Sequence, residues 1–106
     1  MGHVLSLQQP RPDDYVWAIK RIKKLWNEGA IEFTPYCQRR MEQRQIFTSD
    51  VRDIIRSGHI VGHSKPDEHW RYEIEGKSID LGRGSCIVEI ASHLIVVNAY
   101  AANRQP

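Results

Sequence analysis

The chain has 106 residues, 41% of them hydrophobic and 26% charged, with a formal net charge of +2. These values exclude a disordered polycation and predict one globular domain over residues 1–106, with fraying confined to 1–12 and 101–106. No apolar run approaches the roughly 20 residues that span a bilayer, and no signal-peptide core is present. We therefore expect a cytoplasmic domain that does not enter a membrane, and we attribute the loose N-myristoylation pattern at residues 1–6 to chance.

The first helix is marked by its ends and by its apolar period. Asp13 and Asp14 supply an N-cap and negative charge for the first turn, and Asn27 and Gly29 end the helix. Lysines occupy the face opposite the apolar stripe and are expected in solvent. The stripe consists of Tyr15, Val16, Ile19, Ile22, Leu25 and Trp26.

Two more helices are predicted after a short extended link, Ile31–Phe33. Thr34 caps the second helix and Pro35 takes its first position, and the helix runs through Met41 to about Arg44. The third helix is predicted from its candidate caps, its apolar stripe and its stop signal, which are Thr48, Ser49 or Asp50, then Val51, Ile54 and Ile55, then Ser57 and Gly58.

From His59 onward the apolar period changes from helical to two, which is typical of strands. Turn residues separate the strands, with a tight hairpin at Glu75–Gly76 and a flexible loop at Gly82–Gly84. The order predicts an α+β fold, with N-terminal helices packed on one face of a curved antiparallel sheet. The predicted strands are His59–Ser64, His69–Glu75, Lys77–Leu81, Ser85–Ala91 and Leu94–Tyr100.

The two cysteines, Cys37 and Cys86, fall on different predicted elements, one on a helix and one on a strand. Without a secretion signal we expect two free, partly buried thiols rather than a disulfide.

The first predicted hairpin gathers polar side chains on one face. Alternation along His69–Glu75 sends Arg71 to the face opposite Tyr72. A turn centred on Asp67 places His63 opposite Arg71 across the two strands. The polar face then holds His63, Lys65, His69, Arg71 and Glu73, whereas Trp70, Tyr72 and Ile74 pack under the helices.

These side chains suit metal-free cleavage of RNA. The 2′-hydroxyl attacks its own phosphate when a base takes its proton, an acid protonates the leaving oxygen and a cation offsets the phosphorane charge. His63 and His69 are the acid–base candidates, and Arg71 is the candidate phosphate ligand. Lys65 is a candidate charge stabiliser or proton donor, and Tyr100 is a candidate for stacking on a base or donating a proton. The alternative is an ordinary solvated sheet face.

A zinc site is the competing chemical interpretation of His59, His63 and His69. No CxxC or HExxH unit is present, and the strand separates His59 from His63 by about 13 Å. The sequence also lacks a Walker loop, GxGxxG and GxSxG. We therefore expect neither a metal nor a cofactor.

Basic residues cluster on the first two helices, and a phosphate-bearing partner would explain both clusters. Arg40 and Arg44 have two possible roles. They tie the second helix to the sheet through Glu73, Glu75 or backbone carbonyls, or they bind RNA phosphate. The predicted RNA-binding residues are Lys20, Lys23, Lys24, Arg40, Arg44 and Arg83.

Two stretches carry a family resemblance: FTPYCQRRMEQRQI at 33–46 and TSDVRDIIRSGHIV at 48–61. They resemble a small bacterial family of domains of unknown function, whose later strands are matched by Arg71-Tyr72 and by Leu94–Tyr100. RIKKLWNEGAI at 21–31 is similar to the first helix of the MqsR messenger-RNA interferases, which belong to the broader RelE-like ribonuclease fold. The matches together cover residues 15–101.

The resemblance implies a toxin-like, metal-independent endoribonuclease of a toxin–antitoxin system. Its partners would be mRNA, free or ribosome-bound, and a cognate antitoxin protein. The alternative is a non-catalytic RNA- or protein-binding module of the same fold, which would not need the polar hairpin face.

Some of the motif positions of the two families have a counterpart in this sequence, and others do not. Lys65 is the nearest match to the catalytic lysine of MqsR, and Arg71 stands where that family has a glutamine after a tryptophan. A later tyrosine and lysine find no match around Ser85–Val88. The histidine that usually begins the second helix in the unknown-function family is Tyr36 here. Tyr36 either takes over the role of that histidine or leaves the chain without it.

Overall fold

The computed structural model describes residues 11–102, which form three helices and a five-stranded mixed sheet. The α+β class is therefore as predicted, while the pattern at residues 1–6 lies outside the described residues. The elements are α1 Tyr15–Asn27, β1 Ile31–Phe33, α2 Pro35–Arg44, α3 Thr48–Ser57, β2 His59–Ser64, β3 Arg71–Ser78, β4 Gly82–Ile90 and β5 Leu94–Ala101.

The sheet order is β1-β5-β4-β3-β2, and β1 differs from the prediction. The segment predicted as a link is a strand that pairs parallel with β5, with Ile31 opposite Leu94 and Phe33 opposite Val96. The remaining pairs are antiparallel. The sheet is therefore mixed rather than wholly antiparallel, because an extended segment beside β5 satisfies its backbone groups by pairing.

The helix N-termini follow the predicted capping chemistry. Asp14 Oδ1 accepts from the Trp17 N–H at 3.1 Å, and Thr34 Oγ1 accepts from the Cys37 N–H at 3.0 Å. Asp50 caps α3 from inside its first turn by accepting from the Phe47 N–H at 2.8 Å. These local signals set where each helix begins.

One face of the sheet carries the core. The α1 side chains Ala18, Ile22 and Leu25 are buried there, whereas Val16 is 66% exposed, so the prediction of Val16 on the apolar stripe is wrong. Val16 lies two positions, or about 200° of helical rotation, from Ala18 and so points away from the sheet. The core from the strands consists mainly of Ile60, Tyr72, Ile74, Cys86, Val88, Leu94, Val96 and Ala99.

Both thiols are fully buried and free, which corrects the expectation of partial burial. Burial raises the pKa of Cys37 to about 11 and raises the pKa of Cys86 above its usual range. Neither thiol is therefore poised to react as a thiolate.

The predicted hairpin at Glu75–Gly76 is wrong. β3 continues through Gly76 to Ser78, and the chain turns at residues 79–81. A Cβ added to Gly76 would lie 2.3 Å from the Ile54 carbonyl oxygen, so the glycine serves the close approach of α3 rather than a turn. The predicted flexible loop is likewise the start of β4, where Arg83 pairs with Lys77.

The ends of the described chain are tied to the sheet. The Tyr72 hydroxyl donates to the Pro12 carbonyl at 3.1 Å, and the Ala102 N–H donates to the Arg83 carbonyl at 2.9 Å. Ala101 belongs to β5, which is one residue longer than the predicted strand Leu94–Tyr100. Within residues 11–102, no helix has both the length and the apolarity to cross a membrane.

Candidate functional site

The sheet face turned away from α1 and α3 is named the open face here, and it carries most of the polar strand residues. Alternation fixes its membership, because Tyr72 and Ile74 belong to the core and their neighbours in β3 point the other way. Cross-strand pairing extends the same face over β4 and β5. The open face holds Arg71, Glu73, Glu75, Ser85, Ile87, Glu89, Asn98 and Tyr100.

Three charged or titratable groups converge at one end of the open face. Arg71 and Glu89 stand directly opposite each other, and Arg71 Nε donates a short hydrogen bond to Glu89 Oε2. His69 Nδ1 lies 3.9 Å from Glu89 Oε1. The Glu89 side chain is only 10% exposed, whereas His69 and Arg71 are 43% and 37% exposed. The largely buried carboxylate of Glu89 thus lies between the more exposed side chains of His69 and Arg71.

His63 does not join this cluster, and the prediction that it lies opposite Arg71 is wrong. A register shift between Ile60 and Gly62 places His63 opposite Tyr72 instead. Its Nδ1 lies 2.7 Å from the Tyr15 hydroxyl. One extra residue in β2 has moved the side chain to the helix-bearing side. Gly62 was the available signal, since an isolated glycine within a strand often marks a bulge.

Lys65 lies just beyond the end of β2, at Ser64, and does not form the predicted strand pair with His69. Its Nζ lies 5.6 Å from the centroid of the Trp70 ring, at cation–π distance. His63 also contacts Trp70, with ring centroids 5.5 Å apart. His63 and Lys65 therefore contact Trp70 rather than Glu89, although His63 also lines a pocket together with Arg71.

Tyr100 lies on the open face, and its hydroxyl donates to Glu73 Oε2 at 2.5 Å. Burial and this bond to a carboxylate raise the pKa of Tyr100 to about 12. The hydroxyl is therefore committed to Glu73 and holds its proton firmly.

Two adjoining pockets form a groove across the open face, and Arg71 and Ile87 line both. The first encloses about 330 Å³ and is completed by Thr34, Tyr36, Val97 and Asn98. The second encloses about 260 Å³ and extends towards Gly62 and Ser64 of β2. These two pockets together are named the open-face groove, and Arg71 stands at its centre.

The helix α2 borders this groove with a stripe of Tyr36, Arg40 and Arg44. Arg44 Nη1 donates to the Ala99 carbonyl at 2.8 Å and to Asn98 Oδ1 at 3.2 Å. This contact agrees with the structural alternative, in which Arg44 ties the helix to the sheet through a backbone carbonyl rather than Glu73 or Glu75. Phosphate binding by Arg44 stays a prediction.

Arg40 makes no such contact with the sheet. Its Nη1 donates to Gln43 Oε1 on the same helix at 3.2 Å, and its guanidinium lies 6.0 Å from the Tyr36 ring centroid. Among the described residues, Arg40 Nε and Arg44 Nη2 are the buried side-chain nitrogens without a hydrogen-bond partner. Buried donors of this kind are rare and call for an explanation.

The other predicted RNA-binding residues lie elsewhere. Lys20, Lys23 and Lys24 follow the outer side of α1, opposite its buried stripe, and Lys24 lies 4.0 Å from Glu28. Arg83 is exposed on β4 near the far end of the open face. The predicted basic residues therefore form separate patches, and the α1 patch lies on the other side of the sheet from Arg71.

Sequence reasoning missed Glu89 and Asn98, which the structure places beside the predicted Arg71 and Tyr36. Both lie in the two most apolar predicted strands, and both are buried, at 8% and 9% exposure. A polar side chain inside an otherwise apolar strand was the available signal, since such residues are seldom buried without a partner.

Within residues 11–102, no three His, Cys, Asp or Glu side chains are grouped as metal ligands. No family model matches the chain, and no curated protein or solved structure matches it either. The resemblance to the unknown-function family and to MqsR therefore rests on the sequence motifs alone.

Proposed function

We propose that this chain is a toxin-like, metal-independent endoribonuclease of a toxin–antitoxin system, with a RelE/MqsR-like arrangement of helices and sheet. The observation that carries the proposal is the convergence of His69, Arg71 and Glu89 beside the open-face groove. The proposed partners are mRNA, free or ribosome-bound, and a cognate antitoxin.

The three groups supply the parts that RNA cleavage by its own 2′-hydroxyl requires. Glu89 takes the 2′-hydroxyl proton as the 2′-oxygen bonds to phosphorus, and protonated His69 gives a proton to the departing 5′-oxygen. Arg71 offsets the charge on the phosphorane. The products are a 2′,3′-cyclic phosphate and a free 5′-hydroxyl.

Arg71 is available for this role despite its bond to Glu89. Only its Nε is engaged, and within the described residues its two terminal nitrogens make no hydrogen bond. A guanidinium held at Nε presents those terminal nitrogens as a fixed fork to two phosphate oxygens. The bond to Glu89 thus fixes the direction of the fork.

The proposal reassigns the other predicted catalytic residues. His63 and Lys65 contact Tyr15 and Trp70 and take no part in proton transfer. Tyr100 fixes Glu73 in the floor of the face. Glu89 takes the role of base that the sequence suggested for a histidine.

A second candidate function is a non-catalytic RNA- or protein-binding module of the same fold. The mutual pairing of Arg71 and Glu89 favours it, because a cross-strand ion pair also stabilises a sheet without any chemistry. This alternative predicts that loss of His69 has no effect beyond the loss of one partly exposed side chain.

Single-turnover cleavage of a long RNA in EDTA separates the two functions. We expect Arg71→Ala, His69→Ala and Glu89→Gln each to slow cleavage by about 10²–10⁴-fold, with cyclic-phosphate products from the wild type. His59→Ala is the matched control, because His59 is an exposed histidine on β2, opposite Glu75 and away from Arg71. It should cleave at the wild-type rate.

Several outcomes would count against the endoribonuclease. Cleavage that requires a divalent metal would refute the mechanism, as would site variants as fast as His59→Ala. Inactivity of the folded wild type on both free and ribosome-bound RNA would refute the endoribonuclease and favour the binding module.

A further inference from the structure

We propose that the pocket between Tyr36, Asn98 and Arg71 binds a single nucleotide, with the base stacked on Tyr36 and the phosphate on Arg71. The inference rests on the proposed function and specifies where that RNA substrate is held. It concerns the 330 Å³ half of the open-face groove, a volume within the usual range for small-ligand sites.

Tyr36 provides a platform for an aromatic ligand. Its side chain lies at the first turn of α2 and is 49% exposed, although it lines a pocket with apolar Ile87 and Val97. Arg40 lies one turn further along α2 with its guanidinium 6.0 Å from the ring centroid, so one side of the tyrosine is already backed by a cation. The exposed part of the ring is available for a base, and every base has a π-face that stacks on such a ring.

Asn98 provides a directed hydrogen-bond donor. Its Oδ1 accepts from Arg44 Nη1 at 3.2 Å and from the Ala99 N–H at 2.9 Å. Because both donors hold Oδ1 towards Arg44 and the Ala99 N–H, the NH₂ group of Asn98 points away from them. Asn98 lines the pocket, and its NH₂ group makes no hydrogen bond within the described residues. An acceptor on a base edge satisfies it.

Arg71 places the phosphate end of the nucleotide. It lines both halves of the groove, the half that holds Asn98 and the half that extends to Ser64 of β2. A phosphate at Arg71 therefore has one flanking base in the Tyr36 pocket and the chain continuing towards Ser64. The stacked base is thus adjacent to the phosphate that the proposed reaction cleaves.

Mononucleotide binding followed by NMR tests the pocket without any cleavage step. The probes are 3′-AMP, 3′-CMP, 3′-GMP and 3′-UMP, with ribose 5-phosphate as a phosphate that lacks a base. We expect the mononucleotides to shift the Asn98 side-chain amide signals and to bind more tightly than ribose 5-phosphate. Equal binding of ribose 5-phosphate would overturn the proposal.

Variants of Tyr36 measure the stacking contribution. Tyr36→Ala should weaken mononucleotide binding about 5- to 150-fold, whereas Tyr36→Phe should keep the wild-type affinity because the ring remains. Phe47→Ala is the matched control, since Phe47 is a 64% exposed aromatic residue of the α2–α3 connection outside this pocket. Wild-type affinity in Tyr36→Ala, or an equal loss in Phe47→Ala, would refute the platform.

Asn98→Asp tests the donor while keeping the fold. The aspartate retains an oxygen for Arg44 and the Ala99 N–H but replaces the NH₂ donor by a second oxygen. We expect an unchanged melting temperature or a rise, with mononucleotide binding reduced at least tenfold. Tight binding by this variant would overturn the assigned donor.

The results distinguish this pocket from the proposed ribonuclease activity. Mononucleotide binding that depends on Tyr36, without RNA cleavage, supports the pocket and refutes the enzyme. If Tyr36→Ala cleaves RNA at the wild-type rate and the wild type shows no detectable mononucleotide binding, the enzyme is supported and the pocket is refuted.

Discussion

Arg44 either ties α2 to the sheet or binds RNA phosphate, and the two roles predict different effects of Arg44→Ala on the free energy of unfolding. It reaches from the last turn of α2 to β5, beyond the short stretch that β1 covers, and bonds the Ala99 carbonyl and Asn98 Oδ1. Hydrogen bonds from a charged donor contribute about 1.5–3 kcal/mol, and Arg44→Ala also leaves a carbonyl of fully buried Ala99 without this donor. We therefore expect Arg44→Ala to lower the free energy of unfolding by about 2–3 kcal/mol. For a domain of this size that is a fall in Tm of about 9–14 °C.

Urea unfolding followed by tryptophan fluorescence measures this loss directly. Arg39→Ala is the matched control, because Arg39 is exposed on the same helix. It should change the free energy of unfolding by less than about 0.5 kcal/mol. If Arg44→Ala is as stable as Arg39→Ala but binds RNA more weakly, with a salt slope reduced by about 1, the structural role of Arg44 is refuted.

Two further predictions concern the sheet itself. Gly76→Ala should lower the free energy of unfolding in urea by about 3 kcal/mol, because its Cβ would lie 2.3 Å from a carbonyl oxygen of α3. Gly62→Ala is the control and should be near neutral, because no atom lies within 4 Å of its added Cβ. Equal stabilities of these two variants would contradict the close approach of α3. The pKa of Tyr100 is raised from 10.0 to about 12, so its stabilising contribution is complete below pH 10 and is lost as the pH rises towards 12. Between pH 8 and pH 11 the wild type should therefore lose about 1.4 kcal/mol more than Tyr100→Phe, and parallel losses in the two proteins would refute the raised pKa.

The sequence predicted correctly those features of the structure that depend on residues close together in the chain. The caps at Asp14 and Thr34 lie next to the backbone groups that they satisfy, so both helix starts were predictable. Alternation along β3 likewise predicted that Tyr72 is buried and that Arg71 lies on the other face.

The predictions that were wrong or missing all concern contacts between residues that are far apart in the sequence. Gly76 was interpreted as a turn because no pattern shows that α3 crosses directly above it. The bulge in β2 depends on how that strand docks on β3, and it removed His63 from the predicted catalytic face. Glu89 lies 18 residues further along the chain than Arg71, so its polar character in an apolar strand could mark it but local alternation could not show that the two residues pair.

We expect RNA to bind on the open face of the sheet rather than on the basic side of α1. NMR of the labelled protein with a 2′-O-methyl oligoribonucleotide tests it, because this RNA lacks the attacking hydroxyl and stays intact. We predict that the largest shifts fall on Arg71, Ile87 and Asn98 in the open-face groove. Shifts confined to Lys20, Lys23 and Lys24, with the groove unchanged at saturation, would contradict the assignment.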